Sequence, residues 1–168
     1  MRKLLYLILF IPFASFSQNY WESGLEKYTN GDTYGAIADY TKMIEMNPND
    51  TIAVLVYSTR GVAKAKLNDY NGAISDYNKA IEIEPNLKFT SIAYYYRGVA
   101  KAMLEDHYGA IADYTKFIEI EPMEGEPYYN RGYSKYVLGD KNGACQDARK
   151  AQDLGYDASS KFIAAQCN

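Results

Sequence analysis

The sequence contains a single His and only two Cys among 168 residues, and the two Cys lie far apart. Ordinary zinc sites are built from several ligands of these types, so the sequence does not support one. Enzymes of other kinds need a nucleophile beside a base, a tuned pair of carboxylates or a phosphate-binding loop, and we find none of these patterns. The one His, His107, falls in a predicted surface turn. We therefore predict a protein that is not an enzyme, with no catalytic residue, no metal site and no cofactor.

The chain is also poor in positive charge. It has 18 Lys and Arg against 21 Asp and Glu, a formal net charge of −3, and the cations are scattered. Proteins that bind nucleic acid need clustered cations, so this class is excluded. Beyond the first residues, the longest apolar run is Ile52 to Tyr57, which is far too short to cross a membrane. We expect a soluble mature protein that does not span a membrane.

Residues 1–17 have the pattern of a signal peptide. Arg2 and Lys3 precede an apolar run from Leu4 to Phe16, and small residues follow where a signal peptidase would cut, before Gln18. Removal of the two cations would change the net charge from −3 to −5. This pattern predicts an exported protein, periplasmic or extracellular, and an uncleaved N-terminal anchor is the alternative.

What the sequence has in abundance is self-similarity. The segments GVAKAKLNDYNGAISDYNKAIEIEP (61–85) and GVAKAMLEDHYGAIADYTKFIEIEP (98–122) are identical at 18 of 25 positions. Aligned glycines define four units with spacings of 37, 37 and 34 residues: Gly24, Gly61, Gly98 and Gly132. An Ala follows each Gly by 12 residues: Ala36, Ala73, Ala110 and Ala144. A fixed period of this length indicates a repeat architecture.

Each unit reads as two helices joined by a short turn. In the second unit the apolar residues recur at helical spacing, a polar break separates the two halves, and Asp69 can cap the second helix. A Pro follows the second helix in the first three units: Pro48, Pro85 and Pro122. The three extra residues in the first two spacings belong either to a longer first helix or to the loop.

This pattern resembles the tetratricopeptide repeat, whose first helix carries an aromatic and a Gly and whose second carries Ala, an aromatic and Ala. The first aromatic is filled by Tyr20, Tyr57, Tyr94 and Tyr128, and the second by Tyr40, Tyr77 and Tyr114. The fourth unit departs, with Ala148 in place of the last Tyr. The resemblance implies an all-α, right-handed solenoid of four helix–turn–helix hairpins plus a C-terminal capping helix. The expected repeats are about 18–50, 51–87, 88–124 and 125–156, followed by a capping helix at 157–168, whose N-terminus Asp157 can cap.

Charged residues follow the same period. One position of the first helix holds Lys27, Lys64, Lys101 and Lys135, and one position of the second holds Asp39, Asp76, Asp113 and Asp147. Arg60, Arg97 and Arg131 each precede a Lys by four residues. These residues form either a polar ligand track or, as we favour, ion pairs between helices that fix the register.

The two cysteines lie symmetrically about the last turn. Cys145 is ten residues before Gly155, and Cys167 is ten residues after Asp157. If the two helices fold back on each other, the thiols reach the same height, which predicts a disulfide in an oxidising compartment. Two buried free thiols are the alternative.

The resemblance also implies a concave groove lined by the first helices. Mapped onto this chain, the groove residues are Trp21, Leu25, Tyr28, Ser58, Val62, Lys66, Tyr95, Val99, Met103, Tyr129, Tyr133 and Tyr136. Some proteins of the family clamp the carboxylate of a chaperone tail with polar residues, but here the matching places hold Trp21, Leu25, Thr59, Ile92 and Tyr96. Binding of a chaperone tail is therefore not implied.

We expect the groove to hold a partner protein or peptide, which makes the chain a non-catalytic scaffold or adaptor. Aromatic residues with a polar group suit this role because they bury area at low entropic cost. Two alternatives remain: a carbohydrate or cell-wall binding module that uses the same tyrosines, and a structural component that self-assembles through its first unit. A homo-oligomer is left open.

Overall fold

The structure is a computed structural model that describes residues 19–46, 48, 51–84 and 88–167, without the side chains of 88 and 89. The predicted signal peptide and Pro85 lie outside these residues. The described chain is helical at 19–29 (α1), and further helices follow in order. They are α2 (Thr33–Met46), α3 (Thr51–Lys66), α4 (Tyr70–Ile83), α5 (Lys88–Met103), α6 (His107–Ile120), α7 (Gly125–Val137), α8 (Lys141–Asp153) and α9 (Ala158–Gln166).

The second helix of every hairpin begins at the same kind of cap. An Asp side chain accepts a hydrogen bond of 2.9 Å from the backbone N–H three residues later, in the pairs Asp32–Gly35, Asp69–Gly72, Asp106–Gly109 and Asp140–Gly143. This bond satisfies one of the donors that a helix N-terminus leaves without a partner. The cap predicted at Asp69 is therefore present. Asp157 precedes α9 but its side chain makes no capping bond, so that expectation was wrong.

The three extra residues of the longer spacings lie in the first helix. The helices α3 and α5 have 16 residues each, whereas α7 has 13. All three end five residues after their aligned Gly, so the difference is one turn at the N-terminal end. One of the pockets described below lies beside the start of the shorter helix α7.

The chain forms two compact units, one ending at Ile83 and the other beginning at Glu84. The first unit contains hairpin one (α1 and α2) and hairpin two (α3 and α4). Its buried core gathers Tyr40, Met43, Ile44 and Val56. A Cβ atom on Gly24 would lie 2.6 Å from a ring carbon of Tyr40, so only Gly lets the two helices approach this closely.

The second unit contains hairpin three (α5 and α6), hairpin four (α7 and α8) and the C-terminal helix α9. Helix α7 packs against α6 and α8, and α9 packs against α8. A disulfide joins Cys145 of α8 to Cys167 at the end of α9, with a separation of 22 residues. The helix α9 therefore covers the last hairpin, as a terminal cap of a repeat array must.

The periodic charges form ion pairs with a buried Asp inside each hairpin. Arg60, Arg97 and Arg131 each hold both carboxylate oxygens of the Asp 16 residues later. The lysines of the ladder approach the same carboxylates, at 2.7 Å for Lys27, 2.9 Å for Lys64, 2.8 Å for Lys101 and 2.7 Å for Lys135. In hairpin one the place of the Arg is taken by Ser23, which donates to Asp39. This arrangement is the one expected of register-fixing ion pairs.

Two of the arginines also tie a hairpin to the preceding one. Arg60 donates to the hydroxyl of Thr41 within the first unit, and Arg131 donates to the hydroxyl of Thr115 within the second. Each guanidinium also lies over the ring of the Tyr three residues before it, at 5.5 Å from the ring centre in both cases. The repeated Arg therefore stabilises both the hairpin and the stacking of hairpins within a unit.

The predicted all-α fold of four successive helix–turn–helix hairpins followed by a capping helix is confirmed, and the described residues contain no strand. Within that described part, no helix is long and apolar enough to cross a membrane.

Candidate interaction surfaces

In the first unit, the predicted groove residues of α1 are partly engaged in packing. Trp21 is half-buried, and its ring centre lies 5.8 Å from that of the buried Tyr40. Leu25 is 38% exposed. Trp21 therefore contributes to the core of hairpin one, and Leu25 remains at the surface.

Two further groove residues of the first unit contact each other. The ammonium of Lys66 lies 4.4 Å from the ring centre of Tyr28, a cation–π contact between α3 and α1. Val62 is half-buried beside them on α3. Ser58 was wrongly predicted as a groove residue: its side chain is buried, and its hydroxyl donates to the carbonyl of Val54 one turn earlier.

In the second unit, three predicted groove residues line one cavity. Val99 and Met103 of α5 face Tyr133 of α7 across a cavity of about 210 Å³, which we call the α5–α7 cavity. Met103 and Tyr133 are 58% and 50% exposed, so both can contact a ligand. The remaining lining residues are Ala102, His107, Tyr114, Asn130 and Ser134.

Two residues that line the α5–α7 cavity each carry a buried polar atom without a partner. The hydroxyl of Ser134 and the Nδ1 atom of His107 are both buried and make no hydrogen bond. A buried polar atom without a partner costs free energy, and a ligand that supplies the missing bond removes that cost. His107 was predicted to be a surface turn residue, but it is the first residue of α6 and lines this cavity. The sequence could not show this, because the turn ends and α6 begins at adjacent residues, Asp106 and His107.

Tyr129 and Tyr136 do not line this cavity and lie against the C-terminal helix instead. The ring centre of Tyr136 is 5.5 Å from that of Phe162, and its hydroxyl donates to Gln166. Tyr129 contacts Phe162 at 6.1 Å and Tyr156 at 5.2 Å. The groove prediction for these two residues is therefore corrected: their rings pack against Phe162 of α9.

Tyr95, the last of the predicted groove residues, lines a larger pocket of about 380 Å³. Its apolar wall consists of Ile92, Tyr95, Phe117 and Pro127, and its rim carries Glu121, Glu124 and Glu126; Ser91 completes the lining. We call this site the acidic pocket. It opens beside the first residues of α7, the helix that starts one turn later than α3 and α5.

Tyr95 connects the two sites. Its hydroxyl accepts a hydrogen bond of 3.1 Å from Asn130, which lines the α5–α7 cavity. Burial raises the pKa of Tyr95 far above its usual value, and a hydrogen bond to the carboxylate of Glu126 raises that pKa further. The phenol therefore stays protonated and holds Asn130 and Glu126 in place.

The acidic pocket was not predicted from the sequence, although one signal was present. The last spacing of 34 instead of 37 residues shortens α7 by a turn. Another departure from the repeat belongs to the α5–α7 cavity: Ser134 stands where the second and third units have Ala63 and Ala100. Departures from a repeat mark positions that stacking does not explain.

Comparison with known proteins agrees with this architecture. A family model for the tetratricopeptide repeat matches residues 54–87, which cover most of hairpin two. No curated protein sequence matches the chain.

Solved structures share the fold over most of the chain. The crystal structure of MamA protein has a TM-score of 0.76 and 24% identity, covering 84% of this chain and 74% of that one. A tetratricopeptide repeat protein from Parabacteroides merdae has a TM-score of 0.76 and 17% identity, covering 85% of this chain and 55% of that one.

A third structure is the first tetratricopeptide domain of Spaghetti (RPAP3), bound to the HSP90 peptide SRMEEVD. It has a TM-score of 0.68 and 25% identity, covering 74% of this chain and 94% of that one. The matched repeat, the periodic Gly, Ala and Tyr residues and the shared fold lead to one conclusion: residues 54–87 form a tetratricopeptide repeat, and the chain has the fold of tetratricopeptide repeat proteins.

Proposed function

We propose that this protein is a non-catalytic interaction scaffold that binds a segment of a partner polypeptide at the α5–α7 cavity. The family match and the peptide complex of a structural neighbour support an interaction scaffold in general. The choice of site and of ligand class depends on the side chains of this chain.

The observation that carries the proposal is the composition of the α5–α7 cavity. Its walls offer exposed apolar surface from Met103 and Tyr133, and its lining also includes the polar residues His107 and Asn130. A polypeptide brings both apolar side chains and backbone donors and acceptors, so it can contact both kinds of lining residue.

The same surface gives less support to a sugar-binding platform. Sugars stack on exposed aromatic faces, but Tyr129 and Tyr136 already contact Phe162. Of the three groove tyrosines of α7, only Tyr133 is exposed. Self-assembly through the first unit depended on an open Trp21, which packs on Tyr40.

The bound peptide of the RPAP3 structure contains three acidic residues, and we do not expect an acidic peptide of this kind to be the partner of this chain. The places that match a carboxylate clamp hold side chains without charge, among them Ile92 and Tyr96. The partner should therefore be recognised by apolar contact and backbone pairing at the cavity.

We further propose that the protein works outside the cytoplasm. The pattern of residues 1–17 is that of a signal peptide, and the disulfide between Cys145 and Cys167 suits an oxidising compartment. The signal is tested by sequencing the N-terminus of the native protein, which should begin at Gln18.

The binding proposal is tested by co-purification from an extract of the native cell envelope. The double variant Met103→Ala/Tyr133→Ala removes both exposed walls, and Tyr108→Ala/Met123→Ala removes the same residue types from exposed positions outside the cavity. We expect the first variant to retain about tenfold less partner protein than the unchanged protein does. The reason is that it loses two anchor contacts, each worth about 1 kcal/mol or more. The second variant should retain it fully.

Circular dichroism and thermal unfolding establish that both variants fold as the unchanged protein does. Retention of the same partner by both variants would contradict the site. Failure of the unchanged protein to retain any protein, together with retention of isolated cell-wall polymer, would favour the sugar-binding alternative.

A further inference from the structure

The C-terminal helix α9 buries little of itself against the rest of the second unit. Of its nine residues, all of which the structure describes, only Ser159 is buried, whereas α8 buries four of its 13 residues. The hydroxyl of Ser159 has no hydrogen-bond partner, and a buried polar atom without a partner lowers stability. Phe162 contributes an aromatic contact with Tyr129 and Tyr136 of α7. Packing alone therefore attaches α9 with a small margin.

The helix α9 also lacks features that stabilise a helix by itself. It has nine residues, and helices shorter than about 12 residues are marginal in water without tertiary packing. Its N-terminus has no side-chain cap, because Asp157 makes no capping bond. Two hydrogen bonds to the body, from Tyr136 to Gln166 and from Gln152 to Ser160, lie at exposed positions, where water competes for them. If α9 leaves α7 and α8, we therefore expect it to lose its helical structure.

The disulfide between Cys145 and Cys167 is the covalent attachment of α9 to the body. It joins the C-terminal end of α9 to α8 across a separation of 22 residues. On the chain-entropy estimate, closing a loop of this length favours the attached helix by a factor on the order of a hundred. Both cysteines are only half-buried, so a reductant can reach the bond.

We propose that the redox state of Cys145 and Cys167 controls whether α9 stays on the body, and that a dithiol reductant releases it. One thiolate of the dithiol attacks a sulfur of the disulfide, and the other cysteine leaves as a thiolate and takes up a proton. The second thiol of the reductant then displaces the mixed disulfide. The protein gains two electrons and two protons and holds two thiols, while the reductant becomes a cyclic disulfide.

Release of α9 changes the surface beside the proposed binding site. Tyr129, Tyr133 and Tyr136 lie on one face of α7, since they are spaced by four and three residues. Tyr133 is already exposed, while Phe162 packs on the rings of the other two. Release therefore exposes more of these two rings and extends the aromatic surface of α7. The use of this surface by a partner rests on the proposed function, but the release of α9 does not.

The test is amide hydrogen exchange of the whole protein, followed by mass spectrometry, with and without a dithiol reductant. On reduction, we expect the amides of α9 to exchange on the order of a hundredfold faster, while the amides of α5 stay protected. The double variant Cys145→Ser/Cys167→Ser should exchange at the fast rate in both conditions, because it has no bond to reduce. Unchanged protection of α9 after complete reduction would overturn the proposal. An equal loss of protection in α5 and α9 would also overturn it, because the whole unit and not α9 would then have opened.

A matched pair of serine variants tests whether the packing of α9 is as weak as the structure indicates. Ser159→Ala removes the buried hydroxyl that has no partner, so it should slow the exchange of α9 about fivefold in the unreduced protein. Ser160→Ala changes an exposed serine of the same helix and should bring no such slowing. Faster exchange in Ser159→Ala would contradict the proposal, because the hydroxyl would then contribute to the attachment.

Hydroxyl-radical footprinting shows which side chains are exposed when α9 is released. The unchanged protein is compared with the double cysteine variant, so no reductant needs to be present. We expect oxidation of Tyr129 and Tyr136 to rise severalfold in the variant and that of Tyr133 to stay the same. Equal oxidation of Tyr129 and Tyr136 in the two proteins would reject release from α7. None of these readouts uses a partner, so they hold or fail independently of the co-purification that tests the proposed function.

Discussion

Hairpins three and four belong to the same unit and share their stabilising contacts, yet they differ in helix length and in the residues at two positions of the repeat. Both hold a buried Asp between an Arg and a Lys, at Asp113 and Asp147. Both begin their second helix with an Asp cap, at Asp106 and Asp140. These shared residues explain why the two segments fold into the same hairpin.

The differences lie where hairpin four departs from the repeat. Its first helix is a turn shorter, Ala148 replaces the Tyr that fills the core of hairpin three, and Ser134 replaces Ala. The first change lies beside the acidic pocket, the second is accompanied by the packing of α9, and the third adds a buried hydroxyl to a residue that lines the α5–α7 cavity. In this unit the repeated residues build the fold, and the departures modify the surfaces around it.

The largest effect is expected from removal of the buried Asp, which tests whether the shared ion pairs contribute equally to the stability of both hairpins. Asp113→Ala and Asp147→Ala each remove a buried carboxylate and leave an Arg and a Lys without it. Each variant should lower the free energy of unfolding by about 3 kcal/mol, because an uncompensated charge remains inside the hairpin. Urea unfolding measures the loss.

Glu119→Ala is the control for that pair of variants. Its carboxylate forms an exposed ion pair with Lys116 at 2.8 Å, and it should cost no more than about 0.5 kcal/mol. A loss from Asp147→Ala as small as that of the control would show that the network does not stabilise hairpin four.

The next prediction concerns the disulfide, which hairpin four has and hairpin three lacks. Cys145→Ser/Cys167→Ser should lower the free energy of unfolding by about 2 to 3 kcal/mol, since the bond closes a loop across the last turn. A reductant should destabilise the unchanged protein by the same amount and leave the double variant unaffected. Alkylation of two thiols in the native, unreduced protein, detected by mass, would contradict the pairing.

A smaller effect distinguishes the two glycines that let the helices approach each other. A Cβ atom on Gly98 would lie 2.8 Å from a ring carbon of Tyr114, which is buried. A Cβ atom on Gly132 would lie 3.0 Å from the carbonyl oxygen of Ala144. Gly98→Ala should therefore cost about 2 kcal/mol and Gly132→Ala about 1 kcal/mol by urea unfolding. Equal losses would mean that the missing Tyr does not loosen hairpin four.

Most of the fold could be predicted from the sequence, because it depends on contacts that recur with the repeat. The positions of Gly98 and Tyr114, the cap at Asp106 and the pairing of Arg97 with Asp113 all follow from one aligned unit. The site could be predicted only in part. Val99, Met103 and Tyr133 follow from the same alignment and do line one cavity.

What could not be predicted depends on residues that occur once. Tyr129 and Tyr136 are covered because α9 places Phe162 on them, and no other unit has a helix in that role. The acidic rim combines Glu121 from the end of α6 with Glu124 and Glu126 from the start of α7. Their convergence depends on the path of one loop, which neither helical period nor repeat alignment determines.

The smallest effect is expected from a variant that replaces one of these single residues with the residue found at the same position of another repeat. Ser134→Ala gives hairpin four the residue that hairpin three has at Ala100, and it removes a buried hydroxyl that has no partner. We expect a gain in the free energy of unfolding of up to about 1 kcal/mol, because a buried unpaired hydroxyl costs about that much. Ser58→Ala is the control: its hydroxyl is equally buried but donates to Val54, so its removal should bring no gain. If Ser134→Ala stabilises the protein and also weakens retention of the partner, the hydroxyl is kept at the expense of stability because it binds the ligand. A loss of stability would instead mean that the hydroxyl supports the fold of hairpin four and is not available to a ligand.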